Sequence, residues 1–368
     1  MTSQEVQNWV FVARKAYKDF LKTLFGGVFY YAGLFYLLRA WNNLRGRRLT
    51  IVTYHRVTPK PLDQIDQSLP TLFITENTFR KHLTFFKKHY KIVRFSDLAL
   101  YAQNKTDIPN NLLMITFDDG YEDNFRYGHP ILREYNLPWT LFVATNHLGQ
   151  KGVMWWDRMF ALLTLLTRQQ REGSFTVPCQ NNGQEENPLA EILDQFCSDS
   201  SALFARFNTW KVAELLVLIQ QLQTHCSLSE EILVAENAFL SWDQANQLHP
   251  DADVGSHTCS HTVLTGIDLT QVAEEVIVSK KKIQDYCHRV PLACSYPAGS
   301  YSAEIVALVA KAGYSFAVTQ DSGVNNLAAP YTLKRINLWE GSANLSSGDF
   351  SWGFFSVRML GFTRRMRC

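Results

Sequence analysis

Two adjacent carboxylates follow an apolar segment in the first half of the chain. Leu112–Phe117 (LLMITF) is nearly all apolar, as expected of a strand buried on both faces. Asp118, Asp119 and Gly120 come directly after it. Neighbouring side chains at a strand end point in different directions, so one carboxylate can bind a metal ion while the other faces a substrate water. A plain turn that caps a helix is the alternative, and these residues alone do not exclude it.

Two histidines four residues apart form a second group. His257 and His261 follow a predicted strand that ends near Gly255. Side chains at positions i and i+4 meet on one side of a helical turn and can share a cation. A histidine pair in a loop is also compatible with a structural role. Together with Asp119, however, the pair completes an Asp-His-His set that leaves positions open for water and substrate, as a catalytic metal requires.

The elements that must position these groups alternate between strand and helix patterns. The predicted strands are Leu49–Tyr54, Lys91–Phe95, Leu112–Phe117, Trp139–Ala144, Asp253–Gly255, Ala293–Tyr296, Ser315–Thr319 and Leu333–Leu338. The predicted helices are Glu76–Lys88, a short one capped by Ser96, one through Tyr135, Leu269–Tyr286 and Ala303–Ala312. Repeated βα units predict an α/β fold with a parallel sheet, and their number favours a barrel with its active site at the strands' carboxyl ends. A helical insertion is expected at about 157–239.

These motifs resemble those of the polysaccharide deacetylase superfamily, which includes the NodB-like, chitin and peptidoglycan deacetylases and the acetylxylan esterases. The matching segments are Thr116–Gly120 (TFDDG), His257–His261 (HTCSH) and Tyr296–Gly299 (YPAG). The similarity runs from about Leu49 to Leu338. The resemblance implies a distorted (β/α) barrel that carries a helical insertion.

The resemblance also implies a role for each motif residue. The first Asp of the superfamily's pair is the general base, and the second joins the two histidines on a metal ion. This corresponds to Asp118 as the base and to Asp119, His257 and His261 as ligands of one divalent cation. Zinc is expected, with cobalt or nickel as alternatives. The metal and the base together activate water at neutral pH, and the metal polarises the substrate carbonyl.

Three features depart from the superfamily pattern. Ser295 stands where the third motif usually begins with an Arg that pairs with the base. The late Leu-x-His, the usual source of the general acid, is replaced by Leu333–Ile336 (LKRI). The Asp-rich motif with its Trp is reduced to Asp321–Gly323 (DSG). Some members without the late His instead begin with a strand that ends in Tyr-His, as Tyr54–His55 does here.

Two residues are predicted to replace the missing groups. Closure of a barrel brings its first and last strands together, so His55 can reach the position that the late His would occupy. His55 is therefore predicted to be the general acid. The alternative for His55 is a structural histidine that bonds a loop carbonyl. Arg335 is predicted to replace the missing Arg beside Asp118, with an ordinary salt bridge or a substrate contact as alternatives.

The third motif and several aromatic residues are expected near the substrate. By analogy, Tyr296, Pro297 and Ala298 form the substrate and oxyanion segment, with a backbone N–H near Ala298 as the oxyanion donor. The candidates for lining a sugar-binding groove are Trp155, Trp156 and Tyr301, because aromatic faces stack on sugar rings. Core packing is the alternative for each of them.

Both ends of the chain are expected to contact a membrane surface. Thr23–Leu38 is uncharged and aromatic and has basic residues on either side, a pattern typical of interfacial segments and short of the ~20 residues that span a bilayer. Phe350–Cys368 also combines aromatic and basic residues. The alternatives are ordinary packing on the barrel and true spanning. The predicted divisions are a terminal segment 1–48, a barrel 49–345 and a tail 346–368.

The bulk composition narrows the remaining functions. The formal net charge of +2 gives no reason to expect nucleic-acid binding. Seven scattered cysteines without a CxxC pair disfavour a disulfide framework and suit a reducing compartment. A location in the cytoplasm or on the cytoplasmic membrane face is therefore expected, with export left open.

The predicted activity is metal-dependent removal of N-acetyl groups from amino sugars of a polysaccharide or lipid-linked glycan. O-deacetylation or deformylation would use the same machinery, and the motifs do not separate these reactions. A non-catalytic sugar-binding subunit of a polysaccharide assembly system would explain the missing Arg and late His. Retention of Asp118 and the complete ligand set argues against that third reading.

Overall fold

Continuous apolar segments form the strands of a parallel sheet. The computed structural model describes residues 27, 29–46, 48–104, 108–176, 188–226, 228–344 and 349–361. The strands are β1 (Leu49–Tyr54), β2 (Arg56–Thr58), β3 (Phe73–Thr75), β4 (Lys91–Ile92), β5 (Leu112–Phe117), β6 (Trp139–Val143), β7 (Ala252–Ser256), β8 (Ala293–Ser295), β9 (Phe316–Val318) and β10 (Ile336–Asn337). Every residue of β1 and β5 is buried, which explains why both are apolar or β-branched along their length.

Eight parallel strands make up the main sheet. Their order is β10-β1-β5-β6-β7-β8-β9, with β4 also paired to β5, while β2 and β3 form a separate pair. The segment that begins at Leu333 connects the two edges of the sheet. Leu333 bridges to Val318 at the end of β9, and β10 then pairs with β1. The sheet therefore curls into the predicted distorted (β/α) barrel.

Helices surround the sheet and fill the insertion. They are α1 (Leu34–Leu44), α2 (Glu76–His89), α3 (Phe95–Gln103), α4 (His129–Glu134), α5 (Trp155–Arg171), α6 (Pro188–Phe207), α7 (Val212–Gln223), α8 (Glu230–Glu236), α9 (Trp242–Gln247), α10 (Leu269–Cys287), α11 (Ala303–Lys311) and α12 (Trp352–Arg358). Helices α5 to α8 lie between β6 and β7, where the helical insertion was expected. The polar stretch 181–187 of that insertion lies outside the described residues.

One predicted helix cap is wrong. The sequence predicts Ser96 as the N-cap of a short helix, but α3 begins one residue earlier, at Phe95. The Ser96 hydroxyl and backbone N–H both donate to the Asp253 carboxylate, at 3.0 and 2.8 Å. The Asp97 carboxylate instead accepts from the Arg94 backbone N–H at 2.8 Å. A partner distant in sequence therefore takes the hydroxyl that the local pattern assigns to the helix terminus.

The described parts of both chain ends pack against α2. Phe35 of α1 and Phe355 of α12 are fully buried, and their ring centroids lie 5.6 and 5.1 Å from that of Phe85. We call this contact among α1, α2 and α12 the terminal seam. It corresponds to the packing alternative of the sequence analysis. Residues 1–26 and 362–368 of the predicted terminal segments lie outside the described residues.

The outer face of α1 and the side chain of Tyr31, which precedes it, remain exposed. The exposed apolar side chains are Tyr31, Leu34, Tyr36, Leu37, Trp41 and Leu44. Among the residues that the structure describes, no helix combines the length and the apolar character needed to cross a membrane.

Candidate active site

The carboxyl ends of several barrel strands bring the predicted residues to one rim. His55 follows β1, Asp118 and Asp119 follow β5, and His257 follows β7. The last residues of β1 and β5 are paired in register, and the Asp118 backbone N–H donates to the Tyr54 carbonyl at 3.0 Å. His55 and Asp118 therefore leave the sheet at the same level. This is the rim at which barrel enzymes place their catalytic groups.

Asp119, His257 and His261 converge as a possible ligand set. One ligand atom from each lies within 4.8 Å of the others. The Nε2 atoms of His257 and His261 are 3.5 and 3.4 Å from the Asp119 Oδ1 atom. This oxygen is buried and has no hydrogen-bond partner in the described part of the chain. A buried carboxylate oxygen without a donor is unsatisfied, and a bound cation would satisfy it.

The electrostatics of this set also fit a cation. Burial and the neighbouring Asp118 carboxylate raise the pKa of Asp119 well above its usual range. Burial lowers the pKa of both His257 and His261, which leaves neutral imidazoles. Metal ions bind neutral imidazole, and a divalent cation would supply a positive charge to the Asp119 carboxylate. One carboxylate with two imidazoles suits zinc, cobalt or nickel.

Unusual backbone conformations direct these side chains. Asp119, Thr258 and His261 have positive φ angles of 75°, 66° and 58°, in the left-handed region that non-glycine residues seldom adopt. Thr258 is β-branched, so its conformation is the most strained of the three. Such strain persists only where the surroundings enforce it, and it concentrates at functional sites.

Glu275 of α10 holds the histidine loop in this conformation. Its carboxylate accepts from the backbone N–H groups of Cys259 and Ser260, at 2.7 and 3.0 Å, and from the Ser260 hydroxyl at 2.5 Å. Glu275 was not identified from the sequence, because nothing in its neighbouring residues indicates that a carboxylate in the middle of a helix bonds the histidine loop.

Asp118 forms a buried, bidentate ion pair with Arg335. The two guanidinium NH groups lie 2.7 and 2.6 Å from the Asp118 carboxylate oxygens, and both residues are at most 1% exposed. The guanidinium also donates to the Ser295 hydroxyl and the Thr319 carbonyl, both at 3.0 Å. Arg335 thus occupies the position predicted for it beside Asp118.

The ion pair determines the protonation state of Asp118. Burial acts to raise the pKa of its carboxyl group, but the positive charge of Arg335 and the interaction with His257 outweigh burial and lower it. Asp118 is therefore ionised and able to accept a proton across the neutral pH range.

His55 lies at the same rim with a small exposed fraction of 9%. No residue within the described ranges forms a hydrogen bond with its ring, so the loop-carbonyl bond of the structural alternative is not found there. Burial lowers the pKa of His55 to about 4, helped by the charges of Arg335 and His257 and opposed by that of Asp118. The imidazole is therefore neutral at neutral pH.

The third motif divides between the core and the surface. Tyr296 is fully buried, its hydroxyl donates to the Tyr331 carbonyl at 3.0 Å, and its ring stacks on that of Tyr301. Its burial contradicts a direct substrate contact by the Tyr296 side chain. Pro297 is also buried, whereas Ala298 is exposed and has a positive φ of 52°.

The aromatic candidates for the sugar groove also separate. The ring of Trp155 stacks on Phe204 inside the insertion, and Tyr301 stacks on Tyr296. Trp156 contacts the ligand set, since its ring centroid lies 4.8 Å from that of His261.

The fold and this rim define a carbohydrate hydrolase of the deacetylase type. The model of the polysaccharide deacetylase family matches residues 105–179 and 207–317, which together amount to half of the chain. The chain belongs to the polysaccharide deacetylase family.

Individual relatives agree with this assignment. YxkH of Bacillus subtilis, a protein named as a polysaccharide deacetylase, is 20% identical over 305 residues, covering 82% of this chain and 76% of the relative. The poly-beta-1,6-N-acetyl-D-glucosamine N-deacetylase of Staphylococcus epidermidis is 27% identical over 127 residues, 32% of this chain and 41% of that enzyme. The solved structure of IcaB from Ammonifex degensii shares the fold, with a TM-score of 0.52 at 15% identity over 85% of this chain and 97% of that chain.

Proposed function

We propose that this protein is a metal-dependent deacetylase that removes N-acetyl groups from glucosamine residues of a glycan. The observation that carries the proposal is the convergence of Asp119, His257 and His261 beside the ionised Asp118. The N-acetyl specificity is supported by the name of the Staphylococcus epidermidis relative, a poly-beta-1,6-N-acetyl-D-glucosamine N-deacetylase. That match covers less than half of the relative, so the choice of polymer is part of the proposal.

The side chains divide the proposed work as follows. The ligand set would hold a divalent cation, which we propose is zinc. This cation would polarise the amide carbonyl and acidify the attacking water. Asp118 takes the proton from that water. Arg335 keeps Asp118 ionised and, through its two parallel hydrogen bonds, fixes the plane of the carboxylate. The exposed backbone at Ala298 donates to the oxygen that becomes negative.

His55 is the proposed general acid toward the leaving nitrogen. Its ring is at the rim, is partly accessible and has no hydrogen bond within the described residues. Because its pKa is about 4 in the free protein, the role requires that bound substrate raises that pKa. Negative charge developing on the substrate next to the imidazole acts in that direction.

Release of acetate provides the direct test. The purified protein, loaded with zinc, is incubated with poly-β-1,6-N-acetylglucosamine oligomers, with chitin oligomers and with lipid-linked N-acetylglucosamine, and free acetate is measured. We expect release from at least one of these amides, and the preferred one identifies the glycan. Release from O-acetylated or N-formylated sugars alone would replace N-deacetylation by O-deacetylation or deformylation. Binding of the oligomers without any release would contradict an enzymatic role.

We also propose that the protein works at a membrane surface through α1, and a cytoplasmic location is part of this proposal. The exposed apolar side chains of α1 lie beside a basic group, since Arg45 directly follows the helix and its guanidinium lies 4.5 Å from the ring centroid of Trp41. This combination favours the surface of an anionic bilayer. Leu37→Glu should reduce cosedimentation with anionic vesicles, while Leu216→Glu, at an exposed leucine of α7, serves as the control. Equal binding by wild type and both variants would remove α1 from the attachment.

A further inference from the structure

The two histidines of the proposed metal site are supported differently. The Nδ1 atom of His257 lies 2.8 Å from the Ser295 carbonyl oxygen, a hydrogen bond that orients the ring with Nε2 toward Asp119. Metal-binding histidines nearly always have such a bond from their second ring nitrogen. Within the described residues, no hydrogen bond to the His261 ring is found, and 14% of this side chain is exposed. Another group must therefore define the orientation of His261.

Trp156 occupies that place. It lies in the first turn of α5, is only 9% exposed, and its ring meets the His261 ring edge to face at an interplanar angle of 63°. An aromatic ring in this geometry restricts rotation of the imidazole and adds a favourable contact of its own. The insertion therefore reaches the proposed metal site through one side chain.

A chain of hydrogen bonds fixes the indole in turn. Trp156 Nε1 donates to the Tyr121 hydroxyl at 3.0 Å, and that hydroxyl donates to an Asp157 carboxylate oxygen at 2.6 Å. The Ser68 hydroxyl donates to the other Asp157 oxygen. The three residues of this chain, which are Tyr121, Asp157 and Ser68, are all buried. A polar network that is fully satisfied and buried holds its members in a single arrangement.

Tyr121 connects this network to the opposite side of the site. It lies two residues after Asp119 on the same loop, and its ring stacks on Phe239 with the centroids 5.0 Å apart. The Arg56 guanidinium lies 4.2 Å from the Tyr121 ring centroid and is itself bonded to Asp123 at 2.7 Å. The network thus joins the loop that carries Asp119 to the ring that contacts His261.

We propose that Trp156 is a positioning residue that sets the cation affinity of the site, replacing for His261 the hydrogen bond that orients His257. The Tyr121–Asp157–Ser68 network keeps the indole in place, so the helical insertion determines how firmly the barrel binds its metal. This inference rests on the proposed function, because it requires that Asp119, His257 and His261 bind a cation.

The experiment compares metal affinity in matched variants of the full chain. Trp156→Ala removes the ring from His261, and Trp156→Phe keeps a ring but loses the indole N–H. Phe207→Ala is the control, because Phe207 is a fully buried aromatic residue of the same insertion whose ring contacts are with Phe204 and Trp210. Zinc dissociation constants come from competition with a chromophoric chelator. The visible absorption of the cobalt-loaded proteins reports the ligand geometry.

We expect Trp156→Ala to weaken zinc binding by ~10–100-fold and to change the cobalt spectrum, as losses around metal-binding histidines do. Trp156→Phe should show a smaller loss in the same direction. Phe207→Ala should lower the unfolding temperature but leave zinc affinity within about twofold of wild type, since packing far from the ligands does not orient them.

Three outcomes would overturn the inference. Equal zinc affinity in wild type and Trp156→Ala would do so while leaving the proposed function intact. Where Trp156→Ala does not fold, a wild-type affinity and cobalt spectrum in Trp156→Leu, which fills part of the space without an aromatic ring, would have the same meaning. Failure of the wild-type protein to bind zinc or cobalt at all would overturn the metal site of the proposed function together with this inference.

Discussion

Two regions of this molecule contain groups of buried or partly buried histidines, and their surroundings are very different. The rim histidines are His55, His257 and His261, which lie among the carboxylates and the arginine of the candidate site. The seam histidines are His82 and His89 of α2, which lie among the aromatic rings of the terminal seam. Burial lowers the pKa in both regions. A buried, neutral histidine is therefore not by itself evidence of a catalytic site.

The partners of the ring nitrogens distinguish the two regions. In the seam, Tyr54 and Tyr30 hydroxyls each lie 2.9 Å from a ring nitrogen of His82 and His89, respectively. The His82 ring also stacks on Phe355 with the centroids 4.1 Å apart. At the rim, two Nε2 atoms instead converge on one carboxylate oxygen that has no donor within the described residues. The Nε2 atom of His82 in the seam is also without a partner among those residues. The distinguishing feature of the rim is therefore the convergence of two imidazoles on an unsatisfied anion.

The strongest test of this contrast is removal of the rim ligands. We expect the wild-type protein to hold about one zinc, cobalt or nickel ion per chain, and the His257→Ala/His261→Ala protein to hold none and to lose all measurable turnover. Chelation of the wild type should abolish activity, and added metal should restore it. Elemental analysis after dialysis measures the content, with His82→Gln as the seam control. Equal metal content in wild type and the double variant would contradict the ligand assignment.

The second test is removal of the proposed general base, Asp118. Asp118→Asn should lower kcat by ~10²–10⁴-fold, because an amide cannot take the proton from water. The fold and metal content should be retained, since Asn is nearly isosteric with Asp. Stability should fall, because the amide NH2 group cannot accept the second hydrogen bond from the buried Arg335. Asp119→Asn is the matched neighbour and should weaken metal binding as well. Near-wild-type turnover in Asp118→Asn would refute the division of roles between the two carboxylates.

The residues that meet at the rim could be found from the sequence because their signals are local. Asp118 and Asp119 follow an apolar run whose ends coincide with those of β5, and both histidines lie within five residues after β7. Arg335 has no motif of its own. It was predicted to lie beside Asp118 because it is on the predicted strand that closes the barrel. In each case a short motif or one rule of topology was sufficient.

The seam and the supports of the site could not be predicted in this way. Phe35, Phe85 and Phe355 are far apart along the chain, and their contact depends on where three helices settle on the barrel. The aromatic and basic residues of the chain ends were therefore assigned to a membrane, although some of them form the core of the seam. Trp156 was left between a sugar groove and the core, because only the tertiary structure brings it to His261.

The next effect on activity is expected at His55, and it should depend on the leaving group of the substrate. A sugar amine leaves slowly unless it is protonated, so His55→Ala should lower kcat for amides by ~10²–10⁴-fold with unchanged metal content. The loss should be less for an ester with a good leaving group, which needs less protonation. His82→Ala, a seam histidine, should leave kcat unchanged for both substrates. Equal losses on ester and amide would assign His55 to positioning, and no loss would remove it from the mechanism.

The smallest expected effect belongs to the seam and appears in stability alone. Burial and the charge of Arg39 lower the pKa of His89 to about 4, below its ordinary value of 6.5. Between these two pH values the unfolded chain binds a proton that the folded chain does not. The contribution of His89 to the free energy of unfolding should therefore fall as the pH drops from ~6.5 toward ~4 and rise again as the pH returns.

His89→Gln removes this titration and can retain an acceptor for the Tyr30 hydroxyl. Its unfolding free energy should depend less steeply on pH in that window, by at most the slope of one proton, about 1.4 kcal/mol per pH unit. Urea unfolding at several pH values between 4 and 7 measures the slope, and kcat at pH 7 should be the same in both proteins. Because the same experiment includes the rim histidines in both proteins, their contribution cancels in the difference. Parallel pH profiles would show that His89 titrates normally and that the seam does not exclude its charged form.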